Sequence, residues 1–208
     1  MFLFYLKSLM AVFPLFLKGL WMTVAISGLS LITATILGFL AGIGRSSGIK
    51  LLRYGIGFYV DLVRGTPFLV QIFVIFFILP EFGINLEPFP AAIIAMTIMG
   101  GAFICEIVAA GIEAVPKGQR EAAISTGLNR YQQVRYVILP QAMRTILPPL
   151  VGQYVLLVKD SSIVSVIGVM DLTRVGWLTV QRIPEGMLVF GLVGIMYFAV
   201  CYPLIQLA

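Results

Sequence analysis

Apolar runs separated by short polar segments divide the chain into five candidate membrane spans. The first charge-free run lies between Lys18 and Arg45, and the later runs cover 54–80, 88–113, 141–170 and 186–208. A helix needs about 20 apolar residues to cross the hydrocarbon core of a bilayer, and each run reaches that length. The pattern therefore predicts an all-α, polytopic membrane protein with about five transmembrane helices.

The second and fourth runs contain polar interruptions. In the second run the sequence Arg64-Gly-Thr-Pro67 stands between apolar stretches. Because Pro67 lacks an amide hydrogen and disfavours helical geometry at the residue before it, we expect the helix to break there. In the fourth run Lys159-Asp160 predicts a second break, after which the span resumes.

The first residues of the chain are treated separately from the spans. They are mostly apolar, but no basic segment precedes them as it would in a signal peptide. We therefore expect an interfacial helix over 1–14, followed by one transmembrane domain over 15–208.

Composition supports a membrane protein and excludes several classes of enzyme. Hydrophobic residues make up 60% of the chain and charged residues 11%, with a mean hydropathy of +1.04. A soluble domain usually carries about 25% charged residues, so a water-soluble globule is excluded. The chain has no histidine, which excludes HExxH zinc peptidases, Ser-His hydrolases and His-ligated haem. Cys105 and Cys201 lie in apolar runs, where we expect core residues and no metal site.

The distribution of basic residues predicts an orientation. Loop one contains Arg45, Lys50 and Arg53, while the loop around Glu81 and Glu87 contains no basic residue. Loop three, over 113–144, is also basic, with Lys117, Arg120, Arg130, Arg135 and Arg144. Because cytoplasmic loops are enriched in Lys and Arg, we expect loops one and three in the cytoplasm, the N-terminus outside and the C-terminus inside.

Loop three is predicted to fold as two short helices. Pro116 ends the preceding span, a helix fits 119–126, and Gly127 is suited to a left-handed terminator. A second helix fits 130–137, before Pro140 opens the next segment. Ala122, Ala123 and Gly127 would keep one face of this hairpin small enough for another backbone to approach closely.

The spacing in loop three resembles the EAA loop of ABC importer permeases. Glu121-Ala-Ala is followed after three residues by Gly127, and nine residues later by Val137-Ile-Leu-Pro, with Val in place of the usual first Ile. The flanking stretches resemble the polar amino-acid uptake subfamily, the histidine/arginine/glutamine-type permeases. These stretches are Gly19-x3-Thr23-x3-Ser27, Arg64-Gly-Thr-Pro67 with Gln71, Glu106 through Gln141, and Lys159-Asp-Ser-Ser162, with Ser161 replacing the usual Thr.

The resemblance implies a type I ABC importer permease in a bacterial or archaeal plasma membrane. Loop three would be a coupling helix that inserts into a groove on a separate ATPase, and the coupling residues would be Gln119, Arg120, Glu121, Ala122, Ala123, Gly127, Arg130 and Arg135. Two ATPase subunits, a second permease subunit, identical or homologous, and an external amino-acid-binding protein would complete the importer. Membrane lipid and an amino acid would be the other partners, and nucleic acid would not be one.

The chain itself is not expected to be an enzyme. It contains no G-x4-G-K-[ST] phosphate loop, so ATP and Mg²⁺ would be bound by the partner ATPase and no cofactor by this chain. An ion-coupled secondary transporter or a channel subunit is the alternative. A secondary transporter usually shows internal repeats, which are not evident here, and a channel subunit would not need the Glu-Ala-Ala/Gly hairpin.

Polar groups inside the apolar runs predict a substrate site. Backbone amides freed at the Pro67 break, or Arg64 itself, would bind a carboxylate, and Glu106 or Asp160 would bind an amine. The predicted site comprises Arg64, Gly65, Thr66, Pro67, Gln71, Glu106, Asp160, Ser161 and Ser162. A cationic amino acid such as arginine, lysine or histidine is favoured, with glutamine as another candidate.

Other interpretations of these polar groups stay open. Asp61 and Arg64 could form an i, i+3 pair near the cytoplasmic interface. Glu106 could be solvated at that interface instead of facing a cavity, and either predicted break could be a kink without a ligand.

Overall fold

The computed structural model describes the backbone of residues 2–206, together with the side chains of 5 and 7–206. Every regular element in this part of the chain is helical, which confirms the predicted all-α class. The helices are α1 (Phe2–Arg45), α2 (Lys50–Arg64), α3 (Phe68–Phe82), α4 (Pro88–Glu113), α5 (Lys117–Ser125), α6 (Arg130–Ile167), α7 (Leu172–Val180) and α8 (Gly186–Ile205). Four of them are long and apolar enough to cross a membrane, and the α2–α3 pair adds a fifth crossing if it counts as one span.

The first helix continues from the N-terminal segment into the first span. It is 44 residues long and contains Pro14 in its interior. Prolines are tolerated in membrane helices because neighbouring groups can satisfy the backbone carbonyls that they free. No break separates residues 2–14 from the span, and the interfacial position of the predicted segment 1–14 stays a prediction.

Helices α1 and α4 pack parallel to each other at close range. A Cβ atom added at Gly38 would lie 2.5 Å from Cβ of Ile104, and one added at Gly42 would lie 2.6 Å from Cβ of Val108. Small residues at such positions let two membrane helices approach closely, where dispersion contacts and polar contacts between them become possible. Thr33 and Thr97 use this proximity, with their hydroxyl oxygens 2.6 Å apart.

The second crossing is strongly bent, as the Arg64-Gly-Thr-Pro67 sequence predicts. Helix α2 ends at Arg64, Pro67 is extended, and α3 leaves at an angle of 103° to α2. Helix α2 begins at Lys50, before the predicted start of the span. The predicted break is thus confirmed, whereas the predicted start of the region at residue 54 is four residues too late.

Helix α6 differs from the prediction at both of its ends. The predicted short helix over 130–137 is wrong as a separate element, because the chain passes through Pro140 in one helix. A π-helical segment, Gln133–Ile138, explains this continuity: the amide of Leu139 donates to the carbonyl of Val134, five residues back. The wider turn accommodates Pro140, whose ring would clash with the preceding turn of a regular α-helix.

The predicted break at Lys159-Asp160 is also wrong. The α-helical hydrogen bonding ends at Asp160, and Ser161–Ile167 continues α6 as a tighter 3₁₀ helix until Gly168, where φ is +92°. The polar residues therefore change the winding of the helix without dividing it.

A shared cavity places the two basic loops at the same end of the molecule. Arg45 and Arg53 of loop one line a cavity of about 240 Å³ together with Glu113 and Arg120 of loop three. Cys105 and Cys201 are buried free thiols, as expected of core residues. The location of this end in the cytoplasm stays a prediction.

Candidate functional site

Helix α5 has the predicted form of a short helix closed by glycine. Pro116 precedes it in an extended conformation, and Gly127 follows it with φ of +77°. The amide of Gly127 donates to the carbonyl of Ile124 at 2.9 Å, and the amide of Leu128 donates to the carbonyl of Ala123 at 3.3 Å. These bonds satisfy the last carbonyls of α5, so Gly127 fixes the turn that leads into α6.

The two alanines of the Glu-Ala-Ala sequence differ in exposure. Ala123 is buried, with 4% of its surface exposed, whereas Glu121 and Ala122 are exposed. The small side chain of Ala123 therefore packs against its own chain, and its predicted role in coupling stays a prediction. Gln141 holds α5 from the other side, with its Nε2 donating to Oε1 of Gln119 at 3.1 Å.

The start of α6 presents the remaining basic residues of loop three. Asn129 accepts a hydrogen bond from the amide of Gln132, and its own amide donates to Oε1 of Gln132, which forms a capping box. Arg130 and Arg135 are exposed on either side of this turn. With Arg120 they give the hairpin an exposed basic surface that surrounds its capped turn.

A groove of about 500 Å³ separates this hairpin from loop one. Ser47 and Ile49 line it on one side, and Ile124, Arg130 and Tyr131 line it on the other. The hairpin thus offers an apolar groove bordered by cations, formed by residues from two distant parts of the sequence.

Three charged side chains from three helices meet near the same end of the molecule. Oε2 of Glu106 on α4 accepts a hydrogen bond from Nη1 of Arg45 at 2.5 Å and lies 3.2 Å from Nη1 of Arg64. No other ion pair occurs within the described residues, so the Asp61–Arg64 pair considered from the sequence does not form. The guanidinium of Arg64 also lies over the ring of Phe103, 5.6 Å from its centre.

Arg45 is the member of this cluster that sequence reasoning missed. Its position at the end of the first apolar run indicated only a cytoplasmic flank. The contact with Glu106 depends on the register between α1 and α4, which the close packing of Gly42 against Val108 sets. That register cannot be derived from any short stretch of the sequence.

Gln71 stabilises the α2–α3 break. Its Nε2 donates to the carbonyl of Val63 at 2.6 Å, and to both the carbonyl and the hydroxyl oxygen of Thr66 at 3.0 Å. Pro67 deprives the carbonyl of Val63 of its regular helical partner, and the Gln71 side chain replaces that partner. The predicted contact of Gln71 with a substrate stays a prediction.

The Asp160–Ser162 segment lies apart from the charged cluster. Ser161 is buried, its hydroxyl donates to the carbonyl of Val158 at 2.7 Å, and it interacts with Tyr197 of α8. Within the described residues, no hydrogen bond or ion pair joins this segment to Arg64 or Glu106. Its predicted role toward a substrate stays a prediction.

The Gly19-x3-Thr23 sequence packs α1 against the start of α7. The hydroxyl of Thr23 accepts a hydrogen bond from the amide of Leu172 at 3.0 Å, and a Cβ atom on Gly19 would lie 3.1 Å from the carbonyl oxygen of Asp171. Asp171 caps α7 by accepting from the amides of Thr173 and Arg174. Burial raises the pKa of the Asp171 carboxyl, and these hydrogen bonds oppose that shift. This part of the sequence pattern is therefore structural.

Comparison with known protein families identifies the family of this chain. The family described as the binding-protein-dependent transport system inner membrane component matches residues 34–207. The chain belongs to this family. The permease is 36% identical over 190 residues to the L-cystine transport system permease protein TcyB of Bacillus subtilis, covering 91% of this chain and 81% of TcyB. It is 41% identical over 165 residues to the glutamine transport system permease protein GlnP of Escherichia coli K12, covering 78% and 75%.

Solved structures show the same arrangement of helices. The crystal structure of an amino acid ABC transporter with histidines matches the permease with a TM-score of 0.88 and 35% identity, covering 97% of this chain and 94% of that one. The inward-facing MetNI methionine ABC transporter matches with a TM-score of 0.80 at 23% identity, which supports the fold alone.

These findings confirm the resemblance seen in the sequence. The permease is a multi-pass membrane subunit of an amino-acid ABC importer with the type I importer fold, and it is not itself an enzyme. Importers of this kind work with ATPase subunits and binding proteins. The secondary-transporter and channel alternatives are not favoured.

Proposed function

We propose that the permease carries a polar amino acid whose carboxylate binds Arg64 at the α2–α3 break. The observation that supports this proposal is the 103° bend, which ends a helix at Arg64 and opens the chain at Gly65–Pro67. The Arg64 side chain remains 41% exposed beside this opening. A guanidinium in such a position suits a carboxylate, because its planar donors can form two parallel hydrogen bonds to both oxygens.

The backbone at the break adds to this preference for an anion. The amides of Val70 and Gln71 donate to the carbonyl of Pro67, and the amides before them have no preceding helical turn to bond to. Free amides at the start of a helix carry partial positive charge and favour a carboxylate. Phe68 and Leu69 would contribute these amides, because Pro67 has no N–H and the amide of Gly65 already donates to the carbonyl of Asp61.

The charged cluster favours a neutral polar side chain on the substrate over a cationic one. Glu106 contacts two guanidinium groups, and Asp61 lies close enough to Arg45 to interact electrostatically with it. Glu106 is thus engaged by two arginines and is not left over for an additional cation. Glutamine, which relatives such as GlnP are named for, suits this cluster better than arginine does, and Asp160 is the remaining acid that a cationic side chain would use.

The exposed hairpin is proposed as the docking surface for the ATPase. The exposed residues of this surface are Arg120, Glu121, Ala122, Arg130 and Arg135. Its basic residues would pair with an acidic rim on the partner. Gln119, Ala123 and Gly127 would hold this surface in shape. ATP and Mg²⁺ would be bound by that partner, loops one and three would lie in the cytoplasm, and a second permease subunit would complete the path.

Substrate binding tests the proposal directly. The importer complex is purified from cells that express the permease with its partners, and its thermal shift is measured with each proteinogenic amino acid and L-cystine. We expect the largest shift from a neutral polar amino acid, and we expect Arg64→Gln to abolish it. Lys50→Gln is the matched control, because it removes a cation from the other end of α2. A shift that survives Arg64→Gln, or a panel without any shift, would contradict the proposal.

A further inference from the structure

We infer that Glu106 is an internal carboxylate which the substrate displaces from Arg64, and that Arg45 is the positioning residue that retains Glu106 afterwards. This inference rests on the proposed function, since it assumes that Arg64 binds the carboxylate of the substrate. It assigns Glu106 the opposite effect on affinity from that of an amine-binding residue.

The two contacts of Glu106 are unequal. Its Oε2 atom is hydrogen-bonded to Arg45 at 2.5 Å, whereas Nη1 of Arg64 lies 3.2 Å away and forms an ion pair only. The Arg45 side chain is 25% exposed and that of Arg64 is 41% exposed. Arg64 is therefore the more loosely held and more accessible of the two cations, and it is the one that an incoming carboxylate can take over.

The packing of the helices produces the same asymmetry. Arg45 and Glu106 lie on α1 and α4, whose contact allows no additional carbon: a Cβ atom on Gly42 would lie 3.0 Å from the carbonyl oxygen of Cys105. Arg64 is the last residue of α2 and precedes the non-helical Gly65–Pro67. The Arg45–Glu106 contact is thus fixed between two tightly packed helices, while Arg64 stands at the edge of the break.

The exchange preserves the pairing of charges. Before the substrate binds, Glu106 pairs with the guanidinium groups of both Arg45 and Arg64. After binding, Arg45 keeps Glu106 and Arg64 takes the substrate carboxylate, so neither cation is left without an anion. A partly buried charge is less stable without a partner, and Arg45 keeps Glu106 paired when Arg64 changes partner.

The sign of the effect at Glu106 tests the inference. In the purified importer complex, the dissociation constant is measured for the amino acid that gives the largest thermal shift. We expect Glu106→Gln to tighten binding about fivefold, because a half-exposed ion pair that competed for Arg64 is removed. Arg45→Gln should weaken binding about fivefold, because Glu106 is then left to Arg64 alone. Lys50→Gln removes the same charge as Arg45→Gln and should leave the dissociation constant unchanged.

A double variant separates positioning from a general structural effect. In Arg45→Gln/Glu106→Gln the decrease in affinity caused by Arg45→Gln should disappear, because the carboxylate that Arg45 restrains is absent. A purely structural role would instead carry the loss into the double variant. If Glu106→Gln does not assemble, Arg45→Lys provides the same test, since it keeps the charge with fewer donors and should weaken binding by less than Arg45→Gln.

Different results would contradict the displacement of Glu106 and the binding of substrate by Arg64. If Glu106→Gln binds the amino acid more weakly, or if the double variant still has reduced affinity, the substrate does not displace Glu106. Arg64 could still bind the substrate in that case. Unchanged binding by Arg64→Gln overturns the proposed function itself.

Discussion

The contact between α1 and α4 predicts a large effect from a single methyl group. In Gly38→Ala the new Cβ atom would lie 2.5 Å from both Cβ and Cγ2 of Ile104, whereas carbon atoms in favourable contact are about 3.5–4.0 Å apart. The helices must therefore move apart by about 1 Å at this point. Cβ of Ile104 is fixed to the backbone of α4, so no flexible side-chain end can yield in its place.

The cost of this separation can be estimated and measured. Overpacking a well-packed interior typically costs about 1–3 kcal/mol, and here it also disturbs the Thr33–Thr97 contact further along α1. We expect a lower midpoint of thermal unfolding for Gly38→Ala in the purified complex, followed by the intrinsic fluorescence of its tryptophans.

The same helix contains its own control. Gly28 has no atom within 4 Å of an added Cβ, so Gly28→Ala should leave the unfolding midpoint unchanged or raise it slightly. If Gly38→Ala and Gly28→Ala unfold at the same temperature, the close α1–α4 contact does not contribute to stability, and the register derived from it is wrong.

The remaining predictions concern the hairpin and the break. Gly127→Val places a β-branched residue at φ of +77°, a conformation that such residues strongly disfavour. We expect this variant to insert normally into the membrane but to lose amino-acid uptake, while Gly118→Ala in α5 should retain uptake. Normal uptake by Gly127→Val would exclude a coupling role. Gln71→Leu leaves the carbonyls of Val63 and Thr66 without their side-chain donor, which should cost about 1–3 kcal/mol; an unchanged unfolding midpoint would contradict this role.

The sequence was sufficient for features that depend on local chemistry. The break at Pro67 follows from a missing amide hydrogen, and the left-handed turn at Gly127 follows from a missing Cβ atom; both appear where they are predicted. The number of apolar helices is likewise confirmed, because the thickness of a bilayer sets the length of each run.

The sequence was insufficient where two distant segments decide the outcome. Pro140 and Lys159-Asp160 have the composition of helix breaks, but a π-helical turn and a 3₁₀ segment keep them within α6. Ala123 is small, which suits a docking surface and a buried contact equally, and only the packing of α5 distinguishes the two. The pairing of Arg45 with Glu106 requires the register between α1 and α4, and short-range spacing cannot supply that register.

The charged cluster lies between the proposed substrate site and the hairpin. Glu106 lies about 10 Å along α4 from Glu113, where α4 ends and the chain turns into α5. Arg45 is the last residue of α1, and loop one, which lines the groove beside the hairpin, follows it directly. Because α1 and α4 are packed without space for a methyl group between them, a displacement of the hairpin would move Arg45 and Glu106 together. Arg64, at the end of α2, need not follow them. A motion imposed by the ATPase would therefore alter the Glu106–Arg64 contact first, and that contact is the one that a substrate carboxylate would replace.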